Sequence, residues 1–313
     1  MYRYIIKRLL LMIPIVLGVS FIIFCILSFT PGDPGSIILG SGALQEEIDA
    51  LNHELGYDLP FFTRYFNYIV KALIHFDFGS SYITRQPIMA TVLKKAPISL
   101  RVAFNAIFCA AVLGIPIGVL SAVKQYSLWD TLPTSIAIFF ASVPAFWLGL
   151  MLILIFSVKL RLFPTSGIES WKSYVLPMLA LGIPYAAQQM RFTRSSMLET
   201  IRQDYIRTAR AKGQKEQAII WRHAMKNALM PVITVIGVNF GALLGGAVVT
   251  ETLFSIPGLG SYIVNGIKQK DLPVVMGGTI VLAIMFSFVM LLVDLIYAFI
   301  DPRIKAKYMK KGR

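Results

Sequence analysis

An all-α membrane protein with six transmembrane helices is the fold this sequence predicts, on three observations. Of the 313 residues, 56% are hydrophobic and only 15% charged, with a mean hydropathy of +0.69. A water-soluble domain carries about a quarter charged residues. The apolar residues fall into runs close to the roughly 20 residues that a helix needs to cross a bilayer. The bases cluster beside alternate runs, so the net charge of +14 follows membrane topology and requires no nucleic-acid partner.

Residues 9–29 form the first predicted span. Arg3, Lys7 and Arg8 precede it with no acid, which places the N-terminus in the cytoplasm. The apolar run is too long for a signal-peptide core. It ends in PGDPG (31–35), a double turn signal. Residues 36–96 are the one sizeable extramembrane stretch. QEEIDALNHELGYDLP (45–60) has the spacing of a short amphipathic helix, and FFTRYFNYIVKALIHFDFG is aromatic enough to lie along the bilayer surface. Acids outnumber bases six to five there, which places the stretch outside, as a subdomain with too few apolar residues to stand alone.

The second span, about 99–122, contains GIPIG, whose Gly114 and Gly118 permit close helix packing while Pro116 kinks the helix. A short inner turn, KQYSLWD, leads to the third span at about 131–158, with Pro144 in mid-membrane. Trp171 is an expected interface anchor. The fourth span, about 174–190, is short and expected to break at Pro177 and Pro184. The fifth covers about 228–250, with glycines at 237, 241, 245 and 246. An external loop, ETLFSIPGLGSYIVNGIKQKDLP, leads to the sixth at about 274–300. The chain thus divides into an N-terminus with the first span (1–30), an external subdomain (31–96), a core (97–300) with a cytoplasmic loop at 191–227, and a basic tail (301–313). The N-terminus, the stretch 191–226 and the tail hold 18 of the 30 bases, which favours both ends inside.

Between the fourth and fifth spans lies DYIRTARAKGQKEQAIIWRHAMKNALMP, 204–231. It is too charged for lipid, Ala-rich and helical in composition, and interrupted at Gly213. Ala209, Ala211 and Gly213 form a small-residue cluster that another protein's surface could approach closely. Two readings fit: a lever gripped by a motor protein, or a basic loop facing anionic lipid. The lever is the reading adopted.

Catalytic machinery is missing from the sequence. All three histidines (His53, His75, His223) lie outside the spans, and neither G-x-S-x-G nor H-E-x-x-H occurs. With no G-x-x-x-x-G-K-[ST] loop, any ATP that drives transport must be bound by another polypeptide. Cys25 and Cys109 sit inside spans as small core residues rather than a disulfide or metal pair. The spans are nearly free of the midplane charges an ion-coupled carrier needs; Arg101 and Asp294 lie near span ends. Asn105, Gln188, Gln189 and Asn239 either line a water-filled path or hydrogen-bond between helices. Glu251 is either a gate or a solvated carboxylate at a helix end.

YIRTARAKG followed by RHAMKNALMPVIT resembles the cytoplasmic "EAA" loop of ABC importer permeases, in the form of the dipeptide/oligopeptide/nickel family. The opening RYIIKRLLLMIPIVLGVSFIIF…PGDP, ETLFSIPGLG and LLVDLIYAFIDPRIK match it too, so the resemblance covers nearly the whole chain. The opening and the long external segment are similar to the B-type permease. The resemblance implies the type I ABC importer permease fold with a helical external insertion, in the cytoplasmic membrane of a bacterium or archaeon. It implies a second, C-type permease, two ATPases that bind ATP and Mg, and an extracytoplasmic solute-binding protein. No cofactor is expected in this chain. Di- or oligopeptides are the implied solute, with nickel or metal chelates and glutathione as alternatives; an ion-coupled carrier is the remote one. Arg207, Thr208 and Ala209 take the EAA positions, Arg207 replacing the acid, and Gly213 is the family glycine. Asp204, Ala211, His223, Asn227 and Pro231 complete the expected ATPase-coupling set. Asn105, Gln188, Asn239 and Glu251 are the candidates for a path or gate.

Overall fold

The computed structural model describes the backbone of residues 2–300, apart from 31 and 41, and the side chains of residues 5–296 within that range. The basic tail expected at 301–313 and the side chain of Arg3 lie outside the described residues. The described chain is helical, with one isolated antiparallel bridge, Ser80 to Pro87. Its helices are α1 (Tyr2–Ser28), α2 (Pro34–Leu39), α3 (Gln45–Glu54), α4 (Phe61–Ile74), α5 (Ile88–Val123), α6 (Leu128–Ser142) and α7 (Ala145–Leu152). After these come α8 (Val175–Ile201), α9 (Asp204–Ala211), α10 (Glu216–Ala218), α11 (Met225–Leu253), α12 (Leu259–Lys268) and α13 (Leu272–Ile300).

Among the described residues, four helical stretches are long and apolar enough to cross a membrane: Ile5–Ser28, Ile88–Val123, Glu216–Leu253 and Leu272–Ile296. A fifth arises if the bent pair Leu128–Ser142 and Ala145–Lys159 counts as one span. The expected third span, with Pro144 inside it, is two helices bent by 102°. Pro144 causes the break, because its ring drives the preceding residue out of the helical region; Val143 sits at φ −83, ψ 126. The fourth expected span lies in α8, a helix of 27 residues that is not among the described stretches apolar enough to cross a membrane. It passes through Pro184 and continues to Ile201. Pro177 falls in its first turn, where an N–H has no helical partner anyway.

The chain forms two compact units. One comprises Ile6–Ser99 and Pro257–Ser287. Its core joins Val16 and Phe24 of α1, Tyr65, Ile69 and Ala72 of α4, Leu259 and Ile263 of α12, and Met276 and Ile280 of α13. The Tyr65 hydroxyl lies 3.0 Å from Ser20 Oγ and donates to the Leu17 carbonyl at 3.0 Å. α4 buries that face and leaves Phe62, Phe66 and Val70 exposed, one apolar row at i, i+4, i+8. Asp271 opens α13 and is buried; its carboxylate accepts from Ser81 Oγ at 2.5 Å and from the Tyr82 N–H at 3.2 Å.

PGDPG has a defined use here. Asp33 caps α2 by accepting the Ser36 N–H at 2.9 Å, and Pro34 takes the first helical position, as those residue types prefer. The Asn52 side chain donates to Asp33 at 2.7 Å and accepts from the Gly35 N–H at 2.7 Å, tying α3 to α2. A Cβ on Gly35 would stand 2.6 Å from the Ile48 carbonyl oxygen. Gly35→Ala is therefore expected to cost about 1–3 kcal/mol, read as a lower melting temperature of the purified protein. An unchanged melting temperature would mean that α2 and α3 part without cost.

The other unit comprises Leu100–Ile256 with the described parts of Met1–Ile5 and Phe288–Arg313. The close packing expected of GIPIG is present. A Cβ on Gly114 would lie 2.7 Å from the Ala186 carbonyl oxygen, and one on Gly118 2.6 Å from that of Met190. These glycines let α5 lie directly on α8. Cys109 is buried and faces Gly182, and both cysteines are free thiols.

Candidate functional site

The stretch expected to act as a lever is a folded helix–turn–helix. Asp204 starts α9, where an acid complements the positive helix end, and α9 closes at Ala211. The turn follows: the Gly213 N–H donates to the Arg210 carbonyl at 2.9 Å, with Gly213 at φ +74. That left-handed conformation favours glycine. Open space surrounds the position, because an added Cβ would meet nothing within 4 Å. Backbone conformation alone therefore fixes the residue. From Glu216 the chain is helical through to Leu253, with a π-helical stretch at Ile219–Ala224.

Side chains lock the two arms together. Arg210 donates to Glu216 through Nε at 3.1 Å and the terminal nitrogen at 2.5 Å. This ion pair holds the Arg210 guanidinium above its ordinary pKa range. Both side chains are half exposed, so solvent screens the pair and its worth is modest. His223 Nε2 lies 2.7 Å from Gln214 Oε1, and the Asn227 amide donates to the Tyr205 hydroxyl at 2.8 Å. Beneath them Ile206, Ala209, Ile219, Ile220, Ala224 and Ala228 share a buried cluster with Val119 and Met197.

The expected coupling residues divide by face. Arg207, Thr208, Ala211, Gly213, Asn227 and Pro231 are exposed and His223 is half-buried. Ala209 is not part of an open small-residue surface: it is buried, because α9 is amphipathic and Ala209 lies three residues beyond Ile206 on the inward face. Asp204 and Arg207 approach at 3.8 Å as an exposed pair. Thr208 donates back to the Asp204 carbonyl at 3.0 Å. The outward face carries Arg202, Arg207, Lys212, Lys215, Arg222 and Lys226, all exposed, a basic surface suited to an acidic partner.

The polar candidates of the spans are scattered. Gln188 is exposed and lines an open groove of about 860 Å³ with Ala141, Pro184, Tyr185, Arg191, Phe192, Ser195 and Val235. Asn105 is half-buried on α5. Asn239 and Gln189 are buried, with amide atoms that meet no hydrogen-bonding partner. Glu251 is fully buried, so the reading of a solvated helix-end carboxylate is corrected. α11 continues two residues past it, and the buried Phe254 and Ile256 close over that end.

One cluster escaped the sequence reading. Asp130, in the first turn of α6, is buried and accepts two bonds from Arg194 of α8, at 2.6 and 2.8 Å. It also accepts from Ser121 Oγ at 2.5 Å and from the Tyr126 N–H at 3.0 Å. The cluster fastens the α5–α6 turn to α8, the helix that leads into α9. The available signal was one acid at the start of an apolar helix.

Membrane-length helices joined by a folded, basic helix–turn–helix define a polytopic membrane protein. Residues 114–306 match the family described as "Binding-protein-dependent transport system inner membrane component", and residues 1–103 match its N-terminal companion. The "Glutathione transport system permease protein GsiC" of Escherichia coli strain K12 is 38% identical over 307 residues, covering 98% of this chain and all of that protein. The same protein of Shigella flexneri serotype 5b is equally similar. In fold, a chain of the inward-facing MetNI methionine ABC transporter superposes with a TM-score of 0.59 at 20% identity, over 69% of this chain and 99% of that one. An amino acid ABC transporter chain gives 0.55 at 14% identity, over 66% and 93%.

The chain belongs to the family of binding-protein-dependent transport system inner membrane components. It is a permease subunit of an ABC importer, multi-pass in the inner membrane, with the type I importer permease fold. It is not itself catalytic; ATP is hydrolysed by partner subunits, and a solute-binding protein delivers cargo.

Proposed function

We propose that this permease imports short peptides. The observation that carries the reading is the helix–turn–helix at 204–231, a rigid basic platform on an otherwise apolar chain. In this reading α9 docks on an ATPase through Arg207, Thr208, Ala211 and Gly213. His223 and Asn227 hold the second arm against α9, and Pro231 lies beyond them in α11. Two ATPase subunits, each with ATP and Mg, and a C-type permease complete the complex, with both chain ends in the cytoplasm. ATP-driven closure of the ATPases moves α9, and the attached α8 and α11 open the path toward the binding protein. The helices within 36–96 help to dock that protein. Asn105, Gln188, Asn239 and Glu251 remain the path and gate candidates.

A second reading, glutathione as the solute, is favoured by relatives that carry that name. Glutathione is itself a tripeptide, so the two readings share a chemical class.

The test is uptake by the assembled complex in vesicles. ATP-dependent accumulation of labelled di- and tripeptides is expected, and none by this chain alone. Uphill transport by the isolated chain would overturn the coupling. Glutathione uptake without uptake of unmodified peptides would select the second reading.

A further inference from the structure

The groove beside α8 has a chemistry that the coupling role does not use. Gln188, Arg191 and Ser195 follow one another at spacings of three and four, so they form one stripe along the helix, and all three are exposed in the groove. Tyr185 and Phe192 flank them, and Ala141 of α6 and Val235 of α11 supply apolar walls. At about 860 Å³ the groove has the size of a small-molecule site, and its mix of apolar walls with a few convergent polar groups is typical of one.

Arg191 is the unusual member. Three residues further on, Arg194 is locked to Asp130, whereas no carboxylate among the described residues pairs with Arg191. A guanidinium near a helix end reaches out to the interface, and here it lines the groove. Its fork matches a carboxylate, binding it through two parallel N–H bonds. The neighbouring amide of Gln188 and hydroxyls of Tyr185 and Ser195 are donors for the remaining carboxylate lone pairs.

We propose that the Gln188–Arg191–Ser195 stripe is a carboxylate-binding station on the translocation path, taking the C-terminal carboxylate of a short peptide. The station rests on the peptide-importer reading and specifies which end of the cargo the permease holds. Phe192 and Val235 then border the peptide body. Because an exposed site exchanges with water, it holds cargo weakly and lets it go.

The test uses the assembled transporter with its binding protein in proteoliposomes. Uptake of trialanine and of its C-terminal amide is measured for wild type, Arg191→Gln and Arg191→Lys at equal inserted amounts. Arg191→Gln is expected to lower the free-acid to amide uptake ratio by about tenfold, the scale of one charged hydrogen-bonding contact. Arg191→Lys, keeping the charge, should restore part of the ratio. Gln188→Leu, which removes one donor, should lower it by less. A ratio unchanged in Arg191→Gln overturns the station. So does a loss that follows the anionic-lipid content of the vesicles instead of the peptide terminus, which would mark a headgroup site. Wild-type uptake of neither peptide would overturn the peptide reading itself, and the station with it.

Discussion

Asp130→Ala is expected to destabilise the unit built around α5, α6 and α8 by about 3 kcal/mol, the lower end of the cost of breaking a buried ion pair. The carboxylate is buried and receives five hydrogen bonds, two of them from Arg194. The Arg194 side chain keeps 26% of its surface exposed, so water relieves part of its orphaned charge and the upper end of the range is not reached. Differential scanning of the detergent-solubilised chain measures the effect. Asp130→Leu combined with Arg194→Met removes both charges together and should cost markedly less than either single change. If the double variant is no more stable than Asp130→Ala, the pair is not what holds the turn to α8.

Gly213→Val should leave an inserted, normally abundant protein that fails to couple. A β-branched residue at φ +74 costs about 1–2 kcal/mol, a factor of about 5 to 30 in the population of the closed turn. No atom obstructs the new side chain, so the loss is confined to the turn and spares the membrane helices. Opening the turn separates Arg210 from Glu216 and Gln214 from His223, and α9 is no longer held against α10 and α11. In the assembled transporter the expected readout is ATP hydrolysis without matching uptake. Gly213→Asn is the control, because asparagine tolerates the left-handed region better than other side chains. Normal peptide uptake by the valine variant at normal abundance would remove α9 from the coupling path.

Much of the architecture was legible because it is local. Apolar run length set the helices. PGDPG announced its turn, though not the cap that Asp33 gives α2, and Gly213 announced the break in the charged stretch. Pro144 was placed inside the third span, but its bend of 102° was not foreseen. Gly114 and Gly118 signalled a close helix contact without naming α8 as the partner. Other residues depended on neighbours distant in sequence. Pro184 did not break α8. Ala209 turned inward because Val119 and Met197 offered a cluster to join. Glu251 was covered by residues beyond its own helix end.

The sequence by itself determined that this chain is a helical membrane subunit and placed a charged, Ala-rich helical stretch between the fourth and fifth apolar runs. Periodicity, turn chemistry and charge counts act over a few residues, and those are readable in order. Only the tertiary structure decided that Asp130 meets Arg194 across 64 positions, that Glu251 is buried, and that Gln188, Arg191 and Ser195 face one groove. Those outcomes depend on which helices become neighbours, and the burial energy that decides neighbours is non-directional and summed over the whole chain.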